Sequence, residues 1–428
     1  MTAAAVSNST EPELALHSPT AKPRTFLLIS QVYVPDPASV GQHMAGAAEE
    51  LARRGHRVVV LTSARGYNNP QDRYPSRETR NGVEIRRLPF ASFGKGSLAI
   101  RAIGGLVFLL QATVLGLFRP GMNTLVISTS PPFSAIAGVV IGFVRRVQVQ
   151  YWIMDLNPDQ AVAMGKAQPG SLSVRAFDWL NRRVLKRANN VVVLDRFMKD
   201  RVVAKLPEVA SRLVVLPPWP HEEVETPLPH EANPFRQQHA LQNKFVIMYS
   251  GNHSPANPLT TLIAAAEQLQ DDAGLEFVFV GGGMGKREVE ASTSRNIRSL
   301  PYQPMERLRE SLSAADVHVV AIGNEVVGMV HPCKVYGAMA IARPILLFGP
   351  PENHVADILR EEGIGWHLAH GDVAGTVALI RQMHTLPHTE LERMGRQAQS
   401  VVADRLGRVA LTRALCNVLE NQPVTANA

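Results

Sequence analysis

The sequence predicts an α/β protein built from two Rossmann-like domains, whose parallel β-sheets face each other across an interdomain cleft. A chain of 428 residues exceeds one ordinary core and suggests two domains of roughly 150–200 residues each. Apolar runs without alternation, such as residues 57–62 and 275–280, are separated by helical patterns in both halves. Strands that are buried on both faces of a parallel sheet have this composition. A proline-rich span, residues 217–234, lies between the halves.

Each half repeats the order of strand, helix and strand that a parallel sheet requires. Helices are predicted where apolar residues recur with a period of 3.6, and strands where apolar residues are continuous. The predicted strands are residues 25–30, 57–62, 245–251, 275–280, 316–321 and 344–348, and the predicted helices are residues 42–54, 260–270 and 305–314. The glycine-rich run 281–285 follows a strand but lacks the spacing of a dinucleotide-binding loop.

These patterns divide the chain into four segments. Residues 1–23 are polar and lack the apolar core of a signal peptide, so we expect a disordered leader. Residues 24–220 are expected to form the first domain, and residues 240–400 the second. We expect residues 401–428 to contain a C-terminal helix that packs back on the first domain.

Composition and charge limit the class of partner. An apolar fraction of 45% with 19% charged residues is typical of a packed globular protein. The net charge of +7 is compatible with nucleic acid, an anionic membrane or a phosphorylated substrate. No basic motif with interleaved aromatic residues and no zinc-finger spacing is present, so nucleic acid is not expected as a partner. The two cysteines, Cys333 and Cys416, give no disulfide framework and fit a reducing cytoplasm.

Two apolar runs in the first domain allow two interpretations. Residues 103–118 are almost wholly apolar, and residues 136–144 form a second apolar run. Each is shorter than the roughly 20 residues that a membrane-spanning helix needs. They could be buried core helices, or they could insert shallowly into a membrane with basic flanks at anionic headgroups. In the second interpretation the interfacial residues would be Phe90, Phe93, Lys95, Arg101, Arg119, Arg145 and Arg146.

Residues 331–348 carry the most informative pattern of the chain. A polar loop with His331 and Lys334 leads into a short helix of small residues, which Arg343, Pro344 and a strand follow. The start of a helix presents unpaired N–H groups and a partial positive charge, so a lysine in the first turn suits a diphosphate. An ordinary connection with a solvated lysine is the alternative.

The motifs of this region resemble those of a known enzyme family. Pro332-Cys333-Lys334-Val335-Tyr336 and the small-residue helix before Arg343-Pro344 resemble the donor-site element of retaining, family-four-like glycosyltransferases of the GT-B fold. Cys333 and Ala342 replace the usual serine and glycine. Ser250-Gly251-Asn252-His253 and His331-Pro332-Cys333-Lys334 are similar to elements of an exopolysaccharide, colanic-acid type subfamily, and the resemblance covers most of residues 25–400.

The resemblance implies the function and the partners. The first domain would bind the acceptor and the second a nucleotide-diphosphate sugar, from which a hexosyl group passes to a lipid-linked (polyprenyl) or saccharide acceptor in cell-surface polysaccharide synthesis. It implies a donor substrate but no cofactor and no metal, in agreement with the lack of an Asp-x-Asp motif. The expected location is the cytoplasm, at the inner face of the plasma membrane, with peripheral or monotopic membrane contact.

The resemblance also assigns site residues. The residues expected to bind the donor are Gly41, Gly251, Asn252, His253, Tyr302, Gln303, Glu325, His331 and Lys334. Two glutamates that the family usually has fall here on Met329 and Gly337, so Glu325 is expected at the ribose instead. Two basic residues that usually contact the phosphates are replaced in the loop after residue 250, which places more of the phosphate charge on Lys334 and His331.

Asp155 is the expected catalytic residue. It stands with Asp159 at the end of a predicted strand, in a motif that begins Tyr151-Trp152 and resembles a conserved element of the family. A carboxylate at the cleft could orient or deprotonate the acceptor hydroxyl. A turn-forming role before Asn157-Pro158 and transfer assisted by the donor phosphate are the alternatives.

Two other functions remain open from the sequence. A nucleotide-sugar epimerase on the same fold would need paired acidic residues in the donor cleft, which are not evident. A catalytically idle scaffold subunit of a polysaccharide assembly complex would explain the missing glutamates and basic residues. Retention of Lys334, His331 and Asp155 argues against the scaffold.

Overall fold

The computed structural model describes residues 22–422 apart from residues 37, 67–68, 70, 92–97 and 221–223, and it leaves out the side chains of residues 98, 99, 101 and 102. The leader predicted over residues 1–23 lies almost wholly outside the described residues. The same holds for Phe93 and Lys95 and for the side chain of Arg101, so the interfacial role expected of them is not described either.

The first domain contains an eight-stranded sheet in the described part of the chain, with the order β3-β4-β2-β1-β5-β6-β7-β8. Only β3 is antiparallel to its neighbour among these strands. Its strands are β1 Thr25–Ile29, β2 Arg57–Ser63, β3 Arg77–Arg80, β4 Val83–Leu88, β5 Thr124–Ser128, β6 Gln148–Trp152, β7 Asn190–Val193 and β8 Leu213–Val215. Its helices are α1 Ser39–Arg53, α2 Leu98–Leu117, α3 Ala135–Arg145, α4 Asp159–Ala163, α5 Leu172–Arg187 and α6 Arg196–Lys205.

The second domain contains a six-stranded parallel sheet in the described residues, with the order β11-β10-β9-β12-β13-β14. Its strands are β9 Phe245–Asn252, β10 Leu275–Gly282, β11 Ile297–Leu300, β12 Val317–Ala321, β13 Ile345–Phe348 and β14 Gly365–Leu368. The remaining helices are α7 Pro234–Gln238, α8 Thr260–Gln268, α9 Lys286–Ala291, α10 Leu308–Ser313, α11 Lys334–Ala340, α12 His354–Glu362, α13 Val373–Thr385, α14 His388–Val401 and α15 Arg408–Leu419. The predicted α/β class with two parallel-sheet domains is confirmed.

Some element boundaries differ from the prediction. Helix α1 begins at Ser39, three residues before the predicted start at residue 42. The helix predicted over residues 305–314 is divided into the 3₁₀ turn Met305–Arg307 and helix α10. Pro304 is the residue that precedes this turn.

The last helix joins the first domain. Leu411, Leu415 and Leu419 of α15 are buried in the same apolar cluster as the first sheet. The Cys416 thiol contacts the Ala47 carbonyl oxygen of α1 at 3.6 Å. The chain therefore leaves the second domain after α14, and α15 packs against the first domain.

Helix α2 is apolar all around, yet only one side of it packs on the sheet. Phe108, Leu109 and Ala112 are buried in the core of the first domain. The opposite side forms a stripe of exposed apolar residues, which we call the α2 stripe: Ile103, Leu106, Leu110, Val114 and Phe118. The interpretation of the run 103–118 as a core helix therefore holds for one side of the helix, and the other side is exposed. Among the residues that the structure describes, no helix is long and apolar enough to cross a membrane.

Candidate active site

The cleft lies where loops that follow parallel strands of the two domains meet. In sheets of this kind, ligands bind at the carboxyl ends of the strands. The loop after β6 reaches the second domain, because the Leu156 N–H donates a hydrogen bond of 2.8 Å to the Met329 carbonyl oxygen. Met329 lies five residues before Lys334, which is the first residue of α11. The segment with Asp155 thus lies beside the segment that leads to Lys334.

Asp155 is partly buried, and hydrogen bonds to Thr129 fix the backbone at this position. The N–H groups of Met154 and Asp155 both donate to Oγ1 of Thr129 at 3.1 Å. Removal of the carboxyl group from water raises its pKa to about 6, because no charged group among the described residues compensates the ionised form. A carboxyl group with this pKa is ionised at neutral pH and can still accept a proton readily, as a general base must.

Asp159, the other aspartate of the motif, has a structural partner. Its carboxylate forms an ion pair of 2.8 Å with Nζ of Lys205, and the same ammonium group also binds Asp178. These contacts join α4 and α5 to the end of α6. Of the two aspartates, Asp155 is the one without such an ion pair among the described residues.

Lys334 is the first residue of α11 and lies against the end of β9. Its Nζ is 5.3 Å from the centre of the Tyr249 ring. Its stem packs on Gly251, where φ is +134° and an added Cβ would lie 2.5 Å from Cε of Lys334. Burial lowers the pKa of the ammonium group to about 8. The site therefore holds a partly desolvated cation, whose charge an anionic ligand would compensate.

The strand ends beside Lys334 approach each other closely. Gly251 pairs with Gly281, and Asn252 pairs with Gly282. An added Cβ at Gly281 would lie 2.0 Å from the Gly251 carbonyl oxygen, so only glycine fits there. Asn252 is exposed at the mouth of the cleft.

His253 is buried next to this glycine pair. Its N–H donates to the Gly282 carbonyl oxygen at 2.7 Å, and its ring lies edge-on to Tyr249. Neither ring nitrogen makes a hydrogen bond of normal geometry. Burial lowers the pKa of His253, so its ring is neutral at pH 7. A neutral ring can donate one hydrogen bond to a phosphate but adds no charge.

The other residues predicted for donor binding lie at the rim or in the packing of the cleft. The Tyr302 hydroxyl donates to the Gly282 carbonyl oxygen at 3.4 Å, and Nε2 of Gln303 donates to the Pro301 carbonyl oxygen at 3.0 Å. Glu325 is exposed in the 3₁₀ turn Asn324–Val326. Gly41 has a packing role, since an added Cβ would lie 2.9 Å from the backbone nitrogen of Tyr33.

His331 belongs to a buried network that connects the two domains. Its Nδ1 lies 2.8 Å from Oδ2 of Asp195, and its Nε2 lies 2.7 Å from the Tyr336 hydroxyl. The same hydroxyl lies 2.8 Å from Nε2 of His354. Both ring nitrogens of His331 are thus engaged, and the ring can reach a phosphate only if it gives up one of these bonds.

The network has a defined charge pattern. Burial is the largest single influence on Asp195 and favours its neutral form, but the hydrogen bonds from His331 and the Met198 N–H, together with the electrostatic interactions with the neighbouring imidazole rings, hold the pKa of this carboxyl below its usual value. Burial lowers the pKa of His354 to about 3, so its ring is neutral. Asp195 also caps α6, because its Oδ1 accepts a hydrogen bond from the Met198 N–H. Local sequence patterns could not predict this pair, because 136 residues separate its partners.

One group of side chains has the composition of a metal site. Possible ligand atoms of His230, Asp316 and His388 lie within 4.8 Å of one another. However, Nη2 of Arg343 lies 3.1 Å from Nε2 of His230, and Nη1 of Arg236 lies 3.3 Å from Oδ2 of Asp316. A metal cation would meet two guanidinium groups here, so the described side chains favour an ion-pair cluster over a metal site.

The family comparisons match both domains. The model described as "Glycosyl transferase 4-like domain" matches residues 39–219. The model described as "Glycosyl transferases group 1" matches residues 231–401. The two ranges together span most of the chain; the first contains β2 to β8 and the second contains β9 to β14.

Two relatives of known sequence agree with these matches. WbjE of Pseudomonas aeruginosa, named as a glycosyltransferase, is 26% identical over 259 residues, which are 59% of this chain and 63% of that protein. WcaI of Escherichia coli K12, named as a glycosyl transferase of colanic acid biosynthesis, is 24% identical over 380 residues, which are 83% of this chain and 91% of that protein.

Solved structures share the whole architecture. HepE of Anabaena, crystallised with UDP and glucose, superposes with a TM-score of 0.66 at 14% identity and covers 92% of this chain and 99% of its own. WaaG, a glycosyltransferase involved in lipopolysaccharide biosynthesis, gives a TM-score of 0.66 at 15% identity, with the same coverage of 92% and 99%. The two family matches and this shared fold show that the chain belongs to the glycosyltransferases of the GT-B fold, as its sequence motifs implied.

Proposed function

We propose that this glycosyltransferase moves a sugar from a nucleotide-diphosphate sugar to a lipid-linked or saccharide acceptor in the synthesis of a cell-surface polysaccharide. The observation that carries the proposal is that a partly desolvated cation and a carboxyl group of raised pKa lie on two segments that a hydrogen bond from Leu156 to Met329 joins across the cleft. These groups are Lys334 of the second domain and Asp155 of the first. The names of WcaI and WaaG, and the UDP bound to HepE, support the choice of reaction.

The donor diphosphate would lie against the end of β9. Lys334 would neutralise part of its charge, and Asn252 and His253 would donate hydrogen bonds. Charge develops on the leaving diphosphate during transfer, and donors already fixed in place stabilise it without reorganisation. In this scheme the protein itself supplies the charge, so neither a metal nor a cofactor is required. Tyr302 and Gln303 would flank the nucleobase, and Glu325 would contact the ribose.

The acceptor would bind on the side of the first domain, next to Asp155. Its carboxylate would orient the attacking hydroxyl group or take up its proton. Retention of the anomeric configuration follows from the family resemblance. In the alternative scheme the donor phosphate takes the proton, and Asp155 only orients the acceptor.

The α2 stripe supports membrane contact at the inner face of the plasma membrane. Leu110 is 67% exposed and Phe118 is 80% exposed. Phe143 and Val144, which come just before the basic pair Arg145 and Arg146, are also exposed. Apolar side chains next to basic ones suit the interface of an anionic membrane. A surface of this kind would bring the enzyme to a lipid-linked acceptor.

The two alternative functions have less support. An epimerase would need paired acidic residues at the donor site, whereas Glu325 is the one acidic residue that the family resemblance assigns to it. An idle scaffold would not need a carboxyl group with a pKa of about 6 in the cleft. The comparisons favour neither alternative.

A panel of nucleotide sugars, tested by thermal shift, would check the proposal. A donor at 100 times its dissociation constant should stabilise the protein by about 2.7 kcal/mol. Hydrolysis of the same donor without acceptor would then separate an active enzyme from an idle subunit. If no nucleotide sugar or nucleoside diphosphate raises the melting temperature, the proposed donor site is wrong.

A further inference from the structure

A cavity of about 550 Å³ lies between the β3–β4 hairpin and helix α2, in the first domain. Its two sides differ in chemistry. The hairpin side presents Arg77 and Arg86, whereas the helix side presents Leu110 and Val114. None of the residues predicted for catalysis or donor binding lines it.

The two arginines form an unfavourable pair when the cavity is empty. Arg77 and Arg86 are directly opposite each other in the antiparallel register of β3 and β4. Such residues share one face of the sheet, with Cβ atoms about 4.5–5.5 Å apart, and like charges there are destabilising. The carboxylates of the same hairpin, Glu78 and Glu84, each form ion pairs with other arginines. An anion that relieves this repulsion must therefore come from outside the hairpin.

The opposite wall of the cavity belongs to the α2 stripe. Leu110 and Val114 are 67% and 45% exposed, so this wall is open to an apolar ligand. The cavity thus places two guanidinium groups next to exposed aliphatic carbon. A free phosphate would use only the arginines, whereas an amphipathic phosphate would use both walls.

We propose that this cavity binds the phosphate headgroup of an anionic phospholipid of the bilayer, with the acyl carbons of the lipid against helix α2. The proposal rests on the membrane contact proposed above. Guanidinium groups suit the task, because their planar N–H groups donate paired hydrogen bonds to phosphate oxygens. Repulsion between Arg77 and Arg86 favours a lipid with net negative charge over a zwitterionic one.

A second cavity lined by basic residues lies near the end of helix α2. It has a volume of about 430 Å³, and Arg24, Arg145 and Arg146 line it. Arg145 donates a hydrogen bond of 2.5 Å to the Leu117 carbonyl oxygen, at the end of α2. Basic groups therefore lie beside both the middle and the end of α2, and each would attract an anionic surface that the α2 stripe contacts.

Vesicle sedimentation with the full-length protein would test the proposal. The probes are vesicles of phosphatidylcholine alone and vesicles with about 30% phosphatidylglycerol, a range in which each surface arginine contributes measurably. The double variant Arg77→Ala/Arg86→Ala should lose about tenfold or more in partitioning to the anionic vesicles. The matched control is Arg73→Ala/Arg80→Ala, which removes two exposed arginines of the same segment that do not line the cavity. The control should lose much less.

A charge-preserving variant separates a bound headgroup from general surface charge. Arg77→Lys/Arg86→Lys keeps both charges but removes the planar N–H groups, so partitioning should fall several-fold, by less than in the alanine variant. Equal loss in the two alanine variants, or no loss in the lysine variant, would overturn the proposal. The proposal would also be overturned if the Arg77→Ala/Arg86→Ala variant lost partitioning only to neutral vesicles that carry a polyprenyl diphosphate.

The proposed enzymatic function is tested by a separate measurement. Nucleotide-sugar affinity should be the same in the parent and in the Arg77→Ala/Arg86→Ala variant, because the cavity contains no donor-site residue. If the parent binds no nucleotide sugar but shows the cavity-dependent partitioning, the lipid site stands and the proposed function fails. If donor affinity is normal but partitioning does not depend on the cavity, the lipid site fails and the proposed function stands.

Discussion

At the scale of single residues, burial alters the chemistry of both principal groups of the cleft. It raises the pKa of Asp155 to about 6 and lowers that of Lys334 to about 8. In both cases water is removed from a charged group that lacks a full partner, which disfavours the charged form. Perturbed pKa values of this kind cluster at functional sites. The two residues therefore make separate predictions, one for turnover and one for donor affinity.

The substitution Asp155→Asn should abolish the base but keep the size of the side chain. We expect turnover to fall by roughly 10²–10⁴, the usual contribution of general base catalysis, with unchanged donor affinity. In the parent enzyme, the rate should rise with pH through about 6 as the carboxyl group ionises. Steady-state kinetics from pH 5 to 8 and titration calorimetry would measure both quantities.

The pH dependence of folding stability provides the control for the Asp155→Asn prediction. The folded-state pKa lies above the unfolded value, so the folded protein binds more protons and loses stability as pH rises toward 6. The asparagine variant avoids this loss and should be at least as stable as the parent at pH 8. A variant that melts lower but turns over normally would indicate the turn-forming role instead.

The substitution Lys334→Ala should weaken donor binding. Loss of a hydrogen bond to a charged group costs about 1.5–3 kcal/mol, so the dissociation constant of a nucleoside diphosphate should rise at least tenfold. Because the lysine loses its charge above pH 8, parent affinity should also decline there. Titration with the nucleoside alone is the control and should show no change. Affinity for the diphosphate within twofold of the parent would exclude the phosphate contact.

At the scale of elements, α6 and α11 are joined across the cleft. Asp195 begins α6, and His331 lies three residues before α11. A second connection, the ion pair of Arg196 with Asp357, is more exposed and should contribute less. The buried pair should therefore contribute more than the exposed one to holding the two domains together.

The substitution Asp195→Asn should destabilise this connection. It removes the charge from a buried acceptor, which costs about 1–3 kcal/mol. Since the pKa of Asp195 is lowered in the fold, this contribution is complete above the normal carboxyl pKa and is lost as pH falls through the lowered, folded-state value. Denaturant unfolding should show the full difference from the parent at pH 7, and the difference should shrink as pH falls below the normal carboxyl pKa. Asp200→Asn, an exposed change on the same helix, should be nearly neutral throughout.

The α2 stripe makes a prediction of its own. Leu106→Ser, Leu110→Ser and Val114→Ser together should move the protein from the membrane fraction to the supernatant without unfolding it, because all three side chains are exposed. Leu117 is left unchanged in this variant, because it packs against the core of the first domain. The control Leu109→Ser places a hydroxyl group in that core and should cost stability. Parent protein that stays in the supernatant without detergent would contradict membrane contact.

At the scale of the molecule, local patterns predicted the two domains, and long-range contacts supplied what the patterns lacked. Continuous apolar strands such as β2 and β10 were predictable, because burial on both faces leaves a local signature. The bond between Asp195 and His331 left none. The two-sided character of α2 was hidden as well, because both of its sides are apolar and only the sheet decides which one is covered.

The path of the chain also links the stability of the first domain to the last helix. Helix α15 packs on α1, and Arg54 binds Glu420 at 2.6 Å. Leu415 is 1% exposed within the core of the first domain. Unfolding of the first domain must therefore displace a segment that lies more than 350 residues away in sequence from α1.

The substitution Leu415→Ala should accordingly weaken the first domain and not the second. A buried leucine replaced by alanine costs about 2–5 kcal/mol through lost burial and a residual cavity. Hydrogen exchange should show faster opening of β1 and β2, with β9 and β10 unchanged, because the cavity lies in the first core. Val409→Ala, at a 71% exposed position of the same helix, should leave exchange within about 0.5 kcal/mol of the parent. Equal loss of protection in both sheets would instead mean that the domains unfold as one unit, with the contacts across the cleft strong enough to couple them.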